Sequence, residues 1–286
     1  DVLEMMFVAA IEKGYYKEEG LEVTLEVAPP QVGSKALMAG EFQFSGAGAS
    51  NVVAALQGAP VKLVMNTAKG LLFWLYAAPG TSFTGLKGKP IGISGLGSII
   101  HVQAKALLAK HGLDPDKDVA FVSAGSASQA MAMLKGGSVA AAVVGIPAVF
   151  EAEKAGLRSM AFIGDEIPTS TVGVATTDKL IQEKPELVRR FIRATLKGIR
   201  FIMARRGEAL PMMQKFMELD QETVEKAYDV PRWRESGIAE ASLLAADIEE
   251  QRKILNIAEP VPVEMVFNLS FVQAAYQDLQ AANWKP

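Results

Sequence analysis

The stretches "SGAGASNVVAALQG", Ser45–Gly58, and "SGLGSIIHVQAKALLAKHG", Ser94–Gly112, decide the fold of this protein. Each has the pattern of a strand end, a short turn rich in Gly and Ser, and then a helix. Such a turn leaves the first backbone N–H groups of its helix unpaired and directs a partial positive charge outward, so it can bind an anion or a polar acceptor atom. The two stretches therefore predict a pair of binding turns that face each other across a cleft.

Strands and helices alternate around the first stretch. An apolar helix over residues 5–13 is followed by "GLEVTLEVA", residues 20–28, whose alternation predicts a half-buried strand. After the turn and its helix, Pro60 precedes the strand "VKLVMN". Strands that alternate with helices predict a parallel sheet. An α/β unit of this kind normally opens with a strand, so we expect the chain to begin inside a loop.

Two segments mark the borders of a second domain. "LFWLYAAPGTSFTGLKGKP", residues 72–90, predicts a crossover out of the first domain, and "TSTVGVATTDKL", from Thr169, predicts the return. We therefore predict an α/β protein with two lobes, each a mainly parallel sheet flanked by helices. Lobe 1 is predicted to comprise residues 1–76 and 176–286, and lobe 2 residues 77–175.

The second domain repeats the pattern of the first with an offset of 97 residues. Several apolar and turn positions recur at this offset: Leu37 and Leu134, Gly40 and Gly137, Phe42 and Val139, Gly48 and Gly145. This periodicity predicts an internal duplication.

Composition excludes several classes of protein. With 29 basic and 32 acidic residues the net charge is −3, which gives no basic field for nucleic acid or an anionic membrane. The absence of Cys excludes disulfides, thiolate nucleophiles and Cys-ligated metals. The first residues, "DVLEMMFVAA", lack the pattern of a signal peptide, and we expect a mature or trimmed chain from outside the cytoplasm.

The catalytic motifs that the chain approaches are each incomplete. "GTSFTGLKGK" has Leu86 where a phosphate-binding loop needs Lys, and "GAGASN" has Asn51 where a dinucleotide turn needs its third Gly. "GISGL" ends in Leu96 where a nucleophile elbow needs Gly. Only two His are present, so no metal-binding cluster is predicted. We expect no enzyme activity, no cofactor and no metal.

Polar and Gly residues at the predicted strand ends and helix starts are the candidates for ligand binding. Ser98 is a predicted N-cap, and Gly97 would let a ligand approach the backbone. The candidates that follow from these positions are Gly48, Ser50, Asn51, Asn66, Lys69, Gly97, Ser98, His101 and Ser126. Lys69 would serve as a counter-ion for an acidic ligand, and His101 lies one turn into its helix.

Four segments together resemble the periplasmic solute-binding proteins of ABC importers. They are "FVAAIEKGYYKEEGLEV", "ALMAGEFQFSGAG", "LKGKPIGISGLGS" and "MLKGGSVAAAVVGIPA". The likeness is to the type 2, NMT1/THI5-like group, which includes binders of nitrate, sulfonates, taurine and thiamine-pyrimidine precursors. The resemblance implies two α/β lobes joined by two crossovers that close on a small solute. It implies ligand contacts at Gly48, Ser50, Asn66, Ser94, Gly97, Ser98, Ser126, Gly145 and Thr171.

The chain departs from the pattern of this group at Gln43 and Ala140, where members often have Asp. We predict a periplasmic, monomeric receptor that captures a small organic acid, sulfonate or heteroaromatic solute and delivers it to an ABC permease. Two alternatives remain open: a small-molecule enzyme of the pyrimidine-synthase type on the same fold, and the effector-binding domain of a regulator. The synthases depend on a Cys-rich motif, which this chain lacks.

Overall fold

A computed structural model describes residues 2–286. The chain divides into two compact units. Unit 1 comprises the chain up to Lys69 together with Thr169–Pro286, and unit 2 comprises Gly70–Pro168. None of the described helices has both the length and the apolar character needed to cross a membrane.

Helices and strands alternate in the middle of the described chain, whereas helices alone precede β1 and follow β7. The strands are β1 Val61–Asn66, β2 Phe73–Ala77, β3 Lys89–Ile93, β4 Val119–Ser123, β5 Ala141–Gly145, β6 Arg158–Phe162 and β7 Gly173–Thr177. The α-helices are α1 Met5–Glu12, α2 Tyr15–Glu18, α3 Pro30–Ala39, α4 Gly48–Leu56, α5 Ile99–Lys110, α6 Ala127–Lys135, α7 Ala148–Lys154, α8 Ile163–Glu166, α9 Asp178–Glu183, α10 Pro185–Ala204, α11 Arg206–Met217, α12 Gln221–Tyr228, α13 Ala241–Ile254, α14 Val263–Val266 and α15 Ser270–Ala281. Short 3-10 turns cover Val2–Glu4 and Thr84–Leu86.

The unit boundaries lie seven residues before the predicted ones. The segment predicted as the first crossover contains β2, whose residues pair with β5 and β6 inside unit 2. Trp74 of β2 stacks on Phe162, with ring centroids 4.4 Å apart. At the return, β7 pairs with β1 of unit 1. The apolar aromatic run was therefore misassigned because it belongs to a sheet and not to a linker.

Unit 2 contains a five-stranded mixed sheet with the order β4-β3-β5-β2-β6. β3 is parallel to both β4 and β5, whereas β2 is antiparallel to β5 and β6. Ile91 and Ile93 of β3 pack with Leu107 of α5 on one face of the sheet. On the other face Val144 packs with Leu134 of α6. Burial on both faces explains why these strands read as apolar runs.

Unit 1 is dominated by helices packed around α10. Pro185 occupies its first turn, and apolar residues recur at helical spacing along its length. The buried side chains of this face include Val188, Phe191, Ile192, Leu196, Ile199 and Ile202. This stripe packs against α1 and α15, so α10 forms the centre of the core of unit 1.

The sheet of unit 1 is small. Among the residues of this unit that the structure describes, β1 and β7 alone form a ladder, and they are antiparallel, so these residues do not form the mainly parallel sheet predicted for this lobe. Ser45 adds a single antiparallel bridge to Ala175. Residues 21–26 alternate between half-buried and exposed, as the sequence predicts, but residues 21–29 form no strand. Alternation predicts an extended backbone, whereas a strand also needs a partner.

Candidate ligand-binding loops

The carboxyl ends of β3, β4 and β5 lie at one edge of the sheet of unit 2, because these strands are parallel neighbours. Loops at this edge of an open α/β sheet are the usual location of a ligand site. Five of the residues predicted from the sequence lie in or beside these loops: Ser94, Gly97, Ser98, His101 and Ser126.

The loop Ser94–Ser98 is held by its own hydrogen bonds. The Ser98 hydroxyl accepts from the His101 backbone N–H at 3.3 Å and donates to the Gly95 carbonyl at 2.7 Å, which confirms Ser98 as the N-cap of α5. Gly97 has φ +74°, a left-handed conformation that favours glycine. A Cβ added at Gly95 or Gly97 would meet nothing within 4 Å, and Leu96 between them is 61% exposed. The loop is thus rigid, open and apolar at its tip.

His101 is fixed in one orientation and one tautomer. Its Nδ1 accepts a hydrogen bond from the Gly97 backbone N–H at 3.0 Å, so the ring proton of the neutral imidazole is on Nε2. Its ring lies edge-on to Phe121, with centroids 4.7 Å apart. Burial, and then the nearby Lys105 ammonium, lower the pKa of His101. The side chain therefore presents a neutral Nε2–H donor beside the loop.

The second loop of this edge is tied to the first. Ser126 is the N-cap of α6 and accepts from the Gln129 backbone N–H at 3.2 Å. The backbone N–H of Gly125 donates to the Ser94 carbonyl at 3.0 Å. This hydrogen bond links the two loops. A ligand that contacted either loop would therefore bind to a surface whose position both loops fix.

Gly145, in contrast, is accounted for by packing inside unit 2. It is buried at the end of β5, opposite Phe73 of β2. A Cβ at this position would lie 3.0 Å from the Phe73 ring and 3.2 Å from the Leu72 carbonyl oxygen. This packing comes from the antiparallel strand β2, which the sequence analysis had placed in a crossover, and ligand contact at Gly145 stays a prediction.

Two predicted residues of unit 1 also contact each other. A Cβ on Gly48 would lie 2.2 Å from the Thr171 carbonyl oxygen, so the start of α4 packs directly on the backbone that leads into β7. Thr171 is 1% exposed, and its hydroxyl pairs with that of Thr169 at 2.9 Å. This close approach requires glycine at position 48, and contact of Gly48 with a ligand stays a prediction.

Asn51 supports the turn before α4 from inside. Its side chain is fully buried, accepts from the Ser34 hydroxyl at 2.9 Å, and donates to the Ser45 hydroxyl and the Ala47 carbonyl. The amide is therefore used within unit 1, which corrects its predicted role in contacting ligand. Ser50, on the next face of the helix, is half-buried.

Asn66 and Lys69 follow β1 but differ in environment. The fully buried Asn66 amide donates to the Ser170 carbonyl at 2.6 Å and accepts from the Ala239 N–H at 3.1 Å, so it ties three segments together. Lys69 is exposed. The pKa of the nearby Glu240 is lowered by a backbone hydrogen bond, then by Arg234, and least by the Lys69 ammonium. Of the two, Lys69 is the one exposed to solvent, and its contact with a ligand stays a prediction.

Asp247 is a polar residue that the sequence analysis missed. It is 6% exposed, and one carboxylate oxygen, Oδ2, accepts from the Ser170 backbone N–H and hydroxyl, each at 2.5 Å, and from the Thr169 hydroxyl at 3.1 Å. Burial raises its pKa. A signal was present: Asp247 lies at helical spacing between the buried Leu244 and Gln251 of α13. A carboxylate on an apolar helix face indicates a buried polar partner.

Solved structures with the same fold include two sulfonate-binding proteins. The periplasmic aliphatic sulphonate binding protein SsuA from Escherichia coli is 15% identical, with 93% of this chain and 89% of that chain covered, at a TM-score of 0.76. The periplasmic sulfonate-binding protein SsuA from Methylobacillus flagellatus KT is 16% identical, with 98% and 91% covered, at a TM-score of 0.77. The chain therefore has the α/β fold of periplasmic binding proteins, as predicted.

Sequence comparison identifies a more similar relative and a family. The riboflavin-binding protein RibY from Chloroflexus aurantiacus is 26% identical over 290 residues, covering 93% of this chain and 81% of that protein. The family described as NMT1/THI5 like matches residues 4–209, well over half of the chain. This chain belongs to the NMT1/THI5-like family, as its four sequence segments predicted.

Proposed function

We propose that this protein is a solute receptor for a neutral heteroaromatic molecule that carries carbonyl acceptors, such as a flavin. The observation that carries the proposal is the geometry of His101, whose Nδ1 is occupied by Gly97 while Nε2–H remains a donor. A neutral imidazole donor suits a carbonyl or ring nitrogen of a ligand. It offers no charge to an anion.

The charges around the loops of unit 2 support a neutral ligand over a sulfonate. Lys105, one turn further along α5, pairs with Asp116 at 2.6 Å. Lys110, at the end of the same helix, donates to the Glu166 carbonyl at 2.9 Å. A strongly anionic ligand would therefore have to depend on backbone N–H groups at the helix starts.

The loop Ser94–Ser98 also offers apolar surface to a ligand. Leu96 is exposed at the tip of the loop, and the glycines on both sides of it leave room for a flat ring. Ligand pockets combine apolar surface with a few fixed polar groups, which is the combination found here. The similarity to a protein named as riboflavin-binding points to the same chemistry.

Delivery of the solute to an ABC permease from the periplasm completes the proposal. Support comes from the family and from similar structures that are named as periplasmic binding proteins. A receptor of this kind responds to its ligand only through a difference in affinity between its conformations.

The test is titration of the purified protein with riboflavin, followed by flavin fluorescence and by calorimetry. We expect saturable binding with one site per chain. His101→Ala should weaken it roughly tenfold, because one hydrogen bond of about 1.4 kcal/mol is lost. His111→Ala is the matched control, since His111 lies at the other end of α5 and pairs with Glu166 at 2.8 Å, and it should leave the affinity unchanged.

Parallel titrations with taurine and with a pyrimidine thiamine precursor separate the solute classes. Binding of taurine without binding of riboflavin would overturn the neutral heteroaromatic class while keeping a receptor. Binding of none of the three would count against the receptor. Recovery of riboflavin in altered form, with loss of the conversion in His101→Ala, would instead support an enzyme.

A further inference from the structure

The two segments that lead from unit 1 to unit 2 are paired with each other. The first linker comprises residues 67–69, which follow β1, and the second comprises residues 169–172, which lead into β7. The Thr67 backbone N–H donates to the Val172 carbonyl at 2.9 Å, and the Thr169 N–H donates to the Lys69 carbonyl at 3.0 Å. These hydrogen bonds continue the pairing of β1 with β7 up to the border of unit 1.

Both linkers are buried. Lys69 is exposed, but each of the other six linker residues is at most 7% exposed. Segments that join two domains normally lie at the surface and make few contacts. The linkers of this chain are therefore restricted, and the restricting contacts come from residues that follow α12.

The first linker is held by residues 232–234. The Lys69 N–H donates to the Arg232 carbonyl, and the Thr67 carbonyl accepts from the Arg234 N–H, both at 2.9 Å. The two segments thereby form an antiparallel bridge. The backbone N–H and carbonyl groups of both Thr67 and Lys69 are all hydrogen-bonded within unit 1 as a result.

The side chain of Arg234 adds to this hold. It is 4% exposed, and its Nε donates to the Ala68 carbonyl of the first linker at 3.4 Å. Its Nη1 pairs with Glu240 Oε2 at 3.0 Å. A buried charge is stable only where it is paired and hydrogen-bonded, so the guanidinium keeps the first linker and Glu240 in fixed positions.

Asp247 holds the second linker. Its Oδ2 accepts hydrogen bonds from Thr169 and Ser170, which are adjacent residues of that linker. Burial raises the pKa of Asp247, whereas these hydrogen bonds, and then the charge of Arg234, act to lower it. Arg234 and Asp247 thus interact with each other, and both follow residue 209, where the match to the NMT1/THI5-like family ends.

Unit 2 holds the chain on its own side of the border. A Cβ on Gly70 would lie 2.3 Å from the Gly164 carbonyl oxygen, so the two backbones are in direct contact. The Ile167 N–H donates to the first carbonyl of α8 at 2.8 Å. Between the held segments lie the peptide link Lys69–Gly70 and the exposed residue Pro168.

We propose that Arg234 and Asp247 form a brace that holds the two linkers together as one rigid ladder, so that the chain bends between its units only at Lys69–Gly70 and at Pro168. Hinges in proteins are a few residues at the ends of elements that absorb changes in φ and ψ. Gly70 has this freedom, whereas the ring of Pro168 limits it. The inference concerns the connection of the units and goes beyond the proposed solute function.

The test measures the distance between two spin labels by pulsed electron paramagnetic resonance, with no solute added. Because the chain has no Cys, Lys35→Cys and Lys135→Cys place one label on each unit, at exposed positions of α3 and α6. We expect the distance distribution to become at least twofold wider in Asp247→Ala and in Arg234→Met, since each substitution releases one linker.

Two further variants keep the test informative. Ser170→Ala removes one hydroxyl donor but keeps the backbone N–H bond to Asp247, so it should fold where Asp247→Ala does not and should widen the distribution by a smaller amount. Val188→Ala is the matched control, because it removes buried volume from α10 and lowers stability without touching the brace. It should leave the width unchanged.

The position of the bend is tested separately. Pro168→Gly frees φ at the proposed bending point and should widen the distribution. Pro79→Gly, in an exposed loop inside unit 2, is its matched control and should have no effect.

Three outcomes would overturn the proposal. One is the same width in the parent and in both brace variants. Another is equal widening in Val188→Ala, because the effect would then follow stability and not the linkers. The third is an unchanged width in Pro168→Gly. Riboflavin titration is a separate readout, so failure of the solute proposal and failure of this one are distinguishable.

Discussion

Unit 1 and unit 2 use related sequence patterns to reach different structures. In unit 2, β4 and β5 are joined by β3 into a continuous sheet, whereas residues 22–26 and 44–48 of unit 1, which correspond to them at the 97-residue offset, form no strands and help to line a groove. Helices at the same repeat positions form in both units. The comparison shows that helices form from local sequence, while a strand also needs a neighbouring segment with which its backbone can pair.

The largest effect is expected at the pair of equivalent glycines Gly48 and Gly145. Gly48→Ala would place a Cβ 2.2 Å from a backbone oxygen that cannot move alone, so we expect a loss of about 3 kcal/mol or more in the free energy of unfolding. In Gly145→Ala the nearest atom, at 3.0 Å, belongs to the Phe73 ring, which can shift, so about 1–2 kcal/mol is expected.

Urea unfolding of both variants measures this difference. Gly95→Ala is the control, because an added Cβ there meets nothing within 4 Å, and it should stay within about 0.5 kcal/mol of the parent. Equal losses at positions 48 and 145 would contradict the packing described for the two units.

A second prediction compares how the units hold their loops. Asp247→Asn should lower the free energy of unfolding by about 2 kcal/mol, because the amide disturbs the buried hydrogen bonds that Thr169 and Ser170 donate to this side chain. Ser126→Ala removes only a helix cap in unit 2, so it should lower the free energy of unfolding by about 1 kcal/mol.

The two variants should also differ in pH dependence. Burial raises the folded-state pKa of Asp247 above its usual value. Its contribution to stability is therefore fully present below the unfolded-state pKa and decreases as the pH rises through the folded-state pKa. Unfolding measured from pH 3 to pH 8 should show the effect of Asp247→Asn shrinking as the pH rises, while that of Ser126→Ala stays constant. An Asp247→Asn effect that grows with pH would refute this assignment.

A third prediction concerns positions where the units should behave alike. Gly40 has φ +80° and its equivalent Gly137 has φ +72°, and a Cβ at either would meet no atom within 4 Å. Each substitution to Ala should therefore lower the free energy of unfolding by the same amount, about 1 kcal/mol, through backbone strain alone. Thermal unfolding of the two variants checks this. Unequal losses would mean that the repeat does not extend to local backbone geometry.

The smallest expected effect is a shift in the pKa of His101. Burial and Lys105 lower its pKa, so its contribution to stability is present above the unfolded-state pKa and is lost as the pH falls through the folded-state pKa. An NMR titration of the ring should give a pKa below the usual value for His. Lys105→Met should raise that pKa by removing a nearby positive charge. A pKa that stays fixed in this variant would show that burial alone sets it.

Local signals in the sequence were sufficient to predict many of the helices and strands. The predicted bounds of α5, β4 and α6 match the structure, and Pro185 begins α10 as expected. Ser98 was correctly predicted as a helix cap. These features were accessible because periodicity, capping residues and turn glycines act over a few neighbouring residues.

Roles that involve distant segments were not accessible in the same way. Asn51 and Asn66 were predicted to meet ligand, but each is buried in hydrogen bonds with other parts of unit 1. Gly48 and Gly145 are required by close packing on strands that the sequence analysis had not placed. A polar or glycine residue at a strand end looks the same in sequence whether it faces a ligand or a neighbouring backbone.

The sequence by itself determined the family, the α/β class, the helices and the capped loops of unit 2. Only the tertiary structure decided that β2 belongs to the sheet of unit 2, that Asp247 is buried, and that residues 22–28 face a groove. The reason is physical: a helix satisfies its backbone within its own segment, whereas a strand must find its hydrogen-bond partners elsewhere in the chain.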